Sequence, residues 1–302
     1  MEVKEIQEVA EVKEKSRGVA AFFDLDGTLV ALPSLERRFF GILRRQREIR
    51  LRNYFLWLRE AVRLVPRRNG RILQANKMYL RGVQILEERD RGDESLSHRH
   101  KGGHQAPGQA SAPPRRNLRW PVPVFFEEAM ERVAWHARQG HAIVLLSGTL
   151  EPLAREAGRA LEALLSERGI SCAVCVCATP LEEVDGRWTG EILGEAMVGE
   201  GKERAARRIA AELKLDLRRC YAYGDSASDR WLLGAVGRPV AVNPSRKLAR
   251  LAWMRDWTVL KWEKEGIVTR RHRERREKKR NVEAVTRGQE VLNSQANVGD
   301  LG

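Results

Sequence analysis

Short apolar runs that end on a polar residue recur along the chain, and helical periodicity fills the gaps between them. Ala20-Ala21-Phe22-Phe23 is apolar throughout, as a strand buried on both faces is, and it ends on Asp24. His141 to Leu146 repeats the pattern and ends on Ser147-Gly148-Thr149. Cys172 to Ala178 and Cys220 to Tyr223 are two more runs, the second ending on Gly224-Asp225. Pro239 to Val242 and Trp257 to Leu260 read as short further strands. Between them the spacing predicts helices over about 125–139, 151–168, 201–213, 227–235 and 244–254. Asp185-Gly186, flanked by Glu182-Glu183-Val184 and Arg187-Trp188-Thr189, predicts a hairpin turn. Such alternation argues for an α/β fold: a parallel sheet with helices on both faces. Ligands of these sheets bind beyond the strand C-termini, where Asp24, Ser147 and Asp225 all fall.

The first half of the chain breaks the alternation. From Ser34 to about Arg67 the pattern is helical and basic, with Phe39, Phe40, Leu43, Tyr54, Trp57, Leu58, Ala61 and Val62 on apolar stripes. A second helical stretch is expected over about 71–88. Residues 89–118 are rich in Gly, His, Gln, Pro and Ser and poor in large apolar side chains, which predicts a flexible insertion. Its His98, His100 and His104 read as linker residues rather than as metal ligands. The expected organisation is a leader at 1–17, a core built from 18–33 and 119–262, a helical segment at 34–88, the insertion at 89–118, and a basic, disordered tail at 263–302.

Charge adds a constraint on partners. The 302 residues carry a formal net charge of +14, which favours phosphorylated metabolites, anionic membrane or nucleic acid. No apolar run approaches the roughly 20 residues that span a bilayer, and the charged Met1-Glu2-Val3-Lys4-Glu5 leads into no signal-type apolar segment, so a cytoplasmic protein is expected. Cys172, Cys175, Cys177 and Cys220 lack the spacing of a zinc site and read as structural thiols, with Cys175 and Cys177 on one strand face.

The strand-end residues suit phosphoryl transfer, in which an anionic ester resists attack by an anionic nucleophile. Asp24 can serve as the nucleophile and Asp26 as general acid and then base. The turn at Gly27 lets the backbone come close, and Thr28 can pin it. Asp225 can complete a Mg²⁺ site with Asp24, and Asp229 can orient metal-bound water. Ser147 and the Gly148 amide can hold phosphate oxygens, and Lys202, opening a helix, adds positive charge where the helix dipole also favours an anion.

In this order the motifs resemble the haloacid dehalogenase superfamily of phosphohydrolases: Asp24-Leu25-Asp26-Gly27-Thr28, then Ser147, then Lys202, then Gly224-Asp225-Ser226-Ala227-Ser228-Asp229. Ala178-Thr179-Pro180-Leu181-Glu182, Asp185-Gly186-Arg187-Trp188-Thr189-Gly190 and Gly199-Glu200-Gly201-Lys202 are similar to subfamily IB, its phosphoserine-phosphatase-like branch. The resemblance implies a Rossmann-like core with a C1-type helical cap at 34–88. It also implies an aspartyl-phosphate intermediate and Mg²⁺ held by Asp24, the Asp26 backbone carbonyl and Asp225. Three departures stand out. Ala31-Leu32-Pro33 occupies the stretch where phosphoserine phosphatases usually carry a glutamate for the substrate amine, and the nearest acid is Glu36. Ser228 replaces a common asparagine, and the second motif reads Ser-Gly-Thr.

The expected function is thus Mg²⁺-dependent hydrolysis of phosphoserine or another small anionic phosphate metabolite. Two other readings compete. The basic, amphipathic segment with Trp57 is suited to an anionic membrane and a lipid head-group phosphate, against the plainer expectation that its stripe packs on the core. A non-catalytic nucleic-acid module using the basic tail is the other, though no aromatic platform, zinc spacing or helix-turn-helix pattern supports it.

Overall fold

The computed structural model describes residues 18–64, 76–84, 120–263 and 266–268. In chain order the strands are β1 (Ala20–Phe23), β2 (Val124–Phe126), β3 (Ala142–Leu150), β4 (Val174–Thr179), β5 (Leu181–Val184), β6 (Arg187–Ile192), β7 (Tyr221–Gly224), β8 (Arg238–Val242), β9 (Thr258–Leu260) and β10 (Gly266–Val268). The described helices are α1 (Leu35–Arg45), α2 (Leu51–Leu64), α3 (Glu127–Arg138), α4 (Glu151–Glu167), α5 (Glu200–Leu213), α6 (Arg230–Ala235) and α7 (Arg246–Met254). The predicted leader at 1–17, the insertion at 89–118 and most of the tail lie outside the described residues.

Six strands form one parallel sheet in the order β4-β3-β1-β7-β8-β9. Alternation along each strand sends side chains to two layers. Phe22, Val144, Leu146, Cys175, Cys177, Ala222 and Ala241 meet Ile209 of α5, Leu232 and Leu233 of α6, and Leu248 of α7. On the opposite face the Phe23 ring stacks on Tyr223 at 4.5 Å and meets His136 of α3 edge-on. Gly158 of α4 lies so near the sheet that a Cβ would come within 2.8 Å of Val176, which is why the helix can press there. Cys175, Cys177 and Cys220 are buried, none of the four cysteines is in a disulfide, and Cys220 Sγ accepts a hydrogen bond from the Ala20 amide at 3.3 Å. These thiols behave as small core groups.

The sheet puts β1 at its centre, so both neighbours deliver residues beside its C-terminal end. Pairing of β3 with β4 shifts register between Leu146 and Leu150, and this irregularity carries Ser147-Gly148-Thr149. β3 therefore runs past the serine rather than ending on it.

The chain divides into two compact units, one of 1–38, 121–180 and 195–302 and the other of 39–120 and 181–194. In the second, the β5–β6 hairpin turns at Asp185 and Gly186, both at positive φ, as a two-residue turn of mirror type requires. Phe39 sits between Trp120 at 5.3 Å and Trp188 at 6.1 Å. Gly190 passes Met78 so closely that a Cβ would lie 3.0 Å from its backbone. Asn53 of α2 is buried and donates to the carbonyls of Tyr79 and Arg81, and Asn76 donates to that of Trp57.

The structure departs from the periodicity in three places. The helical stretch expected from 34 to 67 is two helices, broken where Arg47 adopts a left-handed φ of 58°. Within the stretch expected as helix over 71–88, the described residues form only a 3₁₀ turn at Met78–Leu80, and Gln84 bridges to Arg187. The stripe of α1 is buried at Phe39 and Leu43, as expected, but Leu51, Phe55, Leu58 and Val62 of α2 point outward and are exposed.

Candidate active site

The site begins where β1 ends. The Asp24 amide donates to the Tyr223 carbonyl at 3.0 Å, extending the β1–β7 pairing by one bond and fixing the carboxylate at the sheet edge. The chain then turns within six residues: Leu29 and Val30 amides donate to the Leu25 carbonyl, and Gly27 donates to Val30. The turn is therefore held by main-chain bonds, while the buried Thr28 Oγ1, expected to pin it, has no partner among the described residues. Gly27 has φ of 89°, and a Cβ there would come within 2.4 Å of Asp225 Oδ2. Only glycine satisfies both the backbone and the approach.

Lys202 lies in the first turn of α5 and is 3% exposed. Its Nζ donates to Asp24 Oδ1 at 2.5 Å and to Asp229 Oδ1 at 2.7 Å. Asp229 is fully buried, and its other oxygen accepts from the Ser226 amide at 2.9 Å and hydroxyl at 2.7 Å. Gly224 makes room for it, since a Cβ there would fall 2.5 Å from Asp229 Cβ. The sequence assigns Asp229 to orienting a water; the structure shows a carboxylate committed to Lys202 and Ser226. Asp225 follows β7, and its carbonyl accepts from the Ser245 amide at 2.8 Å.

Asp24, Asp225 and Asp229 each offer an oxygen within 4.8 Å of the others. Burial raises the Asp24 carboxyl to about 7 despite the Lys202 charge beside it, and burial with the charges of Asp24 and Asp229 raises Asp225 to about 8. Burial favours discharging Lys202, but Asp229 and Asp24 outweigh it and hold its pKa above the ordinary lysine value. Two carboxylates reluctant to ionise together are what a hard divalent cation relieves. Among the described residues nothing hydrogen-bonds Asp24 Oδ2, so Asp24 and Asp225 fit Mg²⁺, while the nearby Asp229 has both oxygens occupied by Lys202 and Ser226.

Asp26 stands apart from that trio. Its Oδ1 accepts from the Leu35 amide at 2.8 Å, in the first turn of α1. Burial raises it to about 6, and the Leu35 bond pulls the other way. The sequence reading misses this bond, and it misses Arg38, whose guanidinium donates to the Ala31 and Val122 carbonyls and whose charge reaches Asp26. Ser34 just before α1 is the available signal: its Oγ accepts from the Arg37 amide and marks where the helix starts.

Ser147 is 1% exposed and its Oγ accepts from the Thr149 amide at 3.2 Å. Register places it near Asp24, because Phe23 pairs with Leu145 on the adjacent strand. The Gly148 carbonyl is held by Thr179 Oγ1 at 3.1 Å, and a Cβ at Gly148 would meet Val198 at 2.5 Å.

A Rossmann-like parallel sheet with its acids gathered at the strand C-termini around a buried lysine sets the class. The chain belongs to the haloacid dehalogenase-like hydrolase family, whose model matches residues 21–233. It is 37% identical over 139 residues to a probable phosphatase of Mycobacterium tuberculosis, covering 46% of this chain and 45% of that one. It is 35% identical over 135 residues to the phosphoserine phosphatase SerB1 of the same species, covering 45% of this chain and 41% of that one. The matches thus span less than half the length of these curated relatives. A crystal structure of a protein of unknown function from Bordetella pertussis Tohama I superposes with a TM-score of 0.53 at 25% identity, covering 80% of this chain and 97% of that one.

Proposed function

We infer that the protein is a Mg²⁺-dependent phosphomonoester hydrolase acting through an aspartyl-phosphate, on phosphoserine or another small anionic phosphate metabolite. The observation that carries this reading is the Lys202 ammonium shared between Asp24 and Asp229, with Asp225 alongside, at the C-terminal edge of the sheet. Kinship with proteins described as phosphatases supports it.

Asp24 attacks phosphorus through a carboxylate oxygen as the ester oxygen leaves. Asp26, held by Leu35 and raised to about 6, gives the leaving oxygen a proton. Water then attacks the aspartyl-phosphate, Asp26 takes its proton, and phosphate and the Asp24 carboxylate are regenerated. Lys202 counters the charge of Asp24 and of the incoming phosphate, and Ser147 with the Gly148 amide serves its remaining oxygens. Asp24 and Asp225, with the Asp26 carbonyl, would hold Mg²⁺, which supplies charge screening for two anions meeting. The missing glutamate after the first motif, where Ala31-Leu32-Pro33 stands, favours a substrate other than phosphoserine among the two named.

The test is hydrolysis of a generic aryl phosphate with Mg²⁺ or EDTA, by wild type and Asp24→Asn. Turnover that needs Mg²⁺ and falls by at least about 10³-fold in the variant is expected. Turnover that survives Asp24→Asn would refute the covalent mechanism, and turnover indifferent to EDTA would refute the metal.

A further inference from the structure

Helix α2 carries its polarity inside out. The side turned inward bears Asn53, 1% exposed and hydrogen-bonded to two carbonyls. The opposite side bears Leu51, Phe55, Leu58 and Val62, which are 79%, 71%, 55% and 62% exposed. Their spacing of four, three and four residues makes one continuous stripe along the helix. A stripe that served the core would face the carbonyls that Asn53 contacts, and this one faces away.

The charges beside the stripe have one sign. Arg52, Arg59 and Arg63 flank it on one edge, each exposed, and Arg44, Arg45, Arg47 and Arg50 precede it, also exposed. Against these seven arginines the stretch 41–64 holds two acids, Glu48 and Glu60, both half-buried, and Glu60 lies 3.5 Å from Arg63. A surface that is apolar along a line and cationic along its edge matches an interface that is anionic above and hydrocarbon below.

We propose that the outer face of α2 docks on a bilayer containing anionic lipid, with Leu51, Phe55, Leu58 and Val62 entering the acyl boundary and the arginines reaching lipid phosphates. Arginine stems suit this placement, because they lie along apolar surface while the guanidinium stays at the head groups. A second copy of the chain fits the face poorly in an antiparallel two-fold contact, which would set arginine rows against each other. Nucleic acid would satisfy the arginines and leave the four apolar side chains in water. The proposal goes beyond the hydrolase reading and stands whether or not that reading holds.

The experiment is flotation of the full chain with phosphatidylcholine vesicles, with and without phosphatidylglycerol. Wild type is expected to float with the anionic vesicles only, and less so as salt is raised. The double variant Phe55→Ser/Leu58→Ser should partition at least about tenfold more weakly, with its circular dichroism unchanged. Arg59→Gln/Arg63→Gln should weaken binding several-fold. Trp253→Ser, which removes an exposed tryptophan of the other unit, should bind as wild type does. Failure of wild type to float overturns the proposal. So does flotation unaffected by the Phe55/Leu58 change, or lost through Trp253→Ser instead. A dimer in sedimentation that the Phe55/Leu58 change dissolves would give the face to a second copy, and oligonucleotide binding that the arginine variant abolishes would give it to nucleic acid. Either replaces the bilayer. Because the readout is binding, an inactive protein that floats, or an active one that does not, separates this proposal from the hydrolase reading.

Discussion

Acidification from pH 7 to pH 5 should remove stability through His136, a buried residue that is not one of the clustered acids. Its ring is fully buried on α3, with Nδ1 2.8 Å from His141 Nδ1 and Nε2 2.8 Å from the Tyr223 hydroxyl. Each ring nitrogen thus has one partner, and a neutral imidazole satisfies both by donating through one and accepting through the other. Phe23, Trp135 and Tyr221 complete its surroundings. Burial first, then the charges of His141 and Arg132, lower its pKa from 6.5 to about 3. The unfolded chain therefore takes up a proton near pH 6.5 that the folded protein refuses. The stabilising contribution is whole above 6.5 and is lost progressively as pH falls toward 3. At pH 5 the loss amounts to about 2 kcal/mol. The assay is urea unfolding followed by circular dichroism, for wild type and His136→Gln, at both pH values and at fixed metal content. Glutamine keeps an acceptor for Tyr223. The raised carboxyls of Asp24, Asp26 and Asp225 act in the opposite sense, gaining stability on acidification, but they do so in both proteins and cancel in the difference. The stability gap between the two proteins should narrow by about 2 kcal/mol from pH 7 to pH 5. A gap that stays constant would refute the reasoning.

Two further outcomes follow from the site. Lys202→Met should abolish the proposed phosphatase turnover and leave buried Asp24 and Asp229 without their shared cation, at a cost of about 3 kcal/mol, and should drive Asp24 further toward its protonated form; an unfolding midpoint equal to that of wild type at pH 8 would contradict it. Gly224→Ala should push Asp229 off Lys202 and lower turnover at least tenfold, on the order of 1–3 kcal/mol of overpacking strain, whereas full activity in a folded variant would show that the carboxylate can give way.

How far the sequence spoke depended on whether a local pattern sufficed. Ala20 to Phe23 could only be a buried strand, and Asp24 had to emerge at its end; the Asp185-Gly186 turn needed nothing beyond its own two residues. Helices α3 to α7 fell close to their expected spans for the same reason. Features that arise from distant partners were illegible. The three-residue strands β2 and β10 exist because they pair with each other across more than a hundred residues. The Asp26–Leu35 bond depends on how the chain re-enters α1, and the double use of Asp229 depends on Lys202 arriving from another element. In α2 the periodicity grouped Leu58 and Val62 with Tyr54, Trp57 and Ala61, whereas the exposed row runs through Leu51 and Phe55, because Asn53 and its two carbonyl partners set which side turns inward. The break at Arg47 had no glycine or proline to announce it.

The second unit is assembled from two separate excursions of the chain, 39–120 and 181–194. Neither excursion is complete without the other: Gly82 donates to the Trp188 carbonyl and Trp188 to that of Val83, while Gly190 closes on Met78. Anyone exchanging this unit with that of a relative would have to transplant both pieces together. A chimera carrying only the longer one would mate a foreign surface with the native hairpin, and its loss of folding would report that mismatch rather than anything about the exchanged side chains.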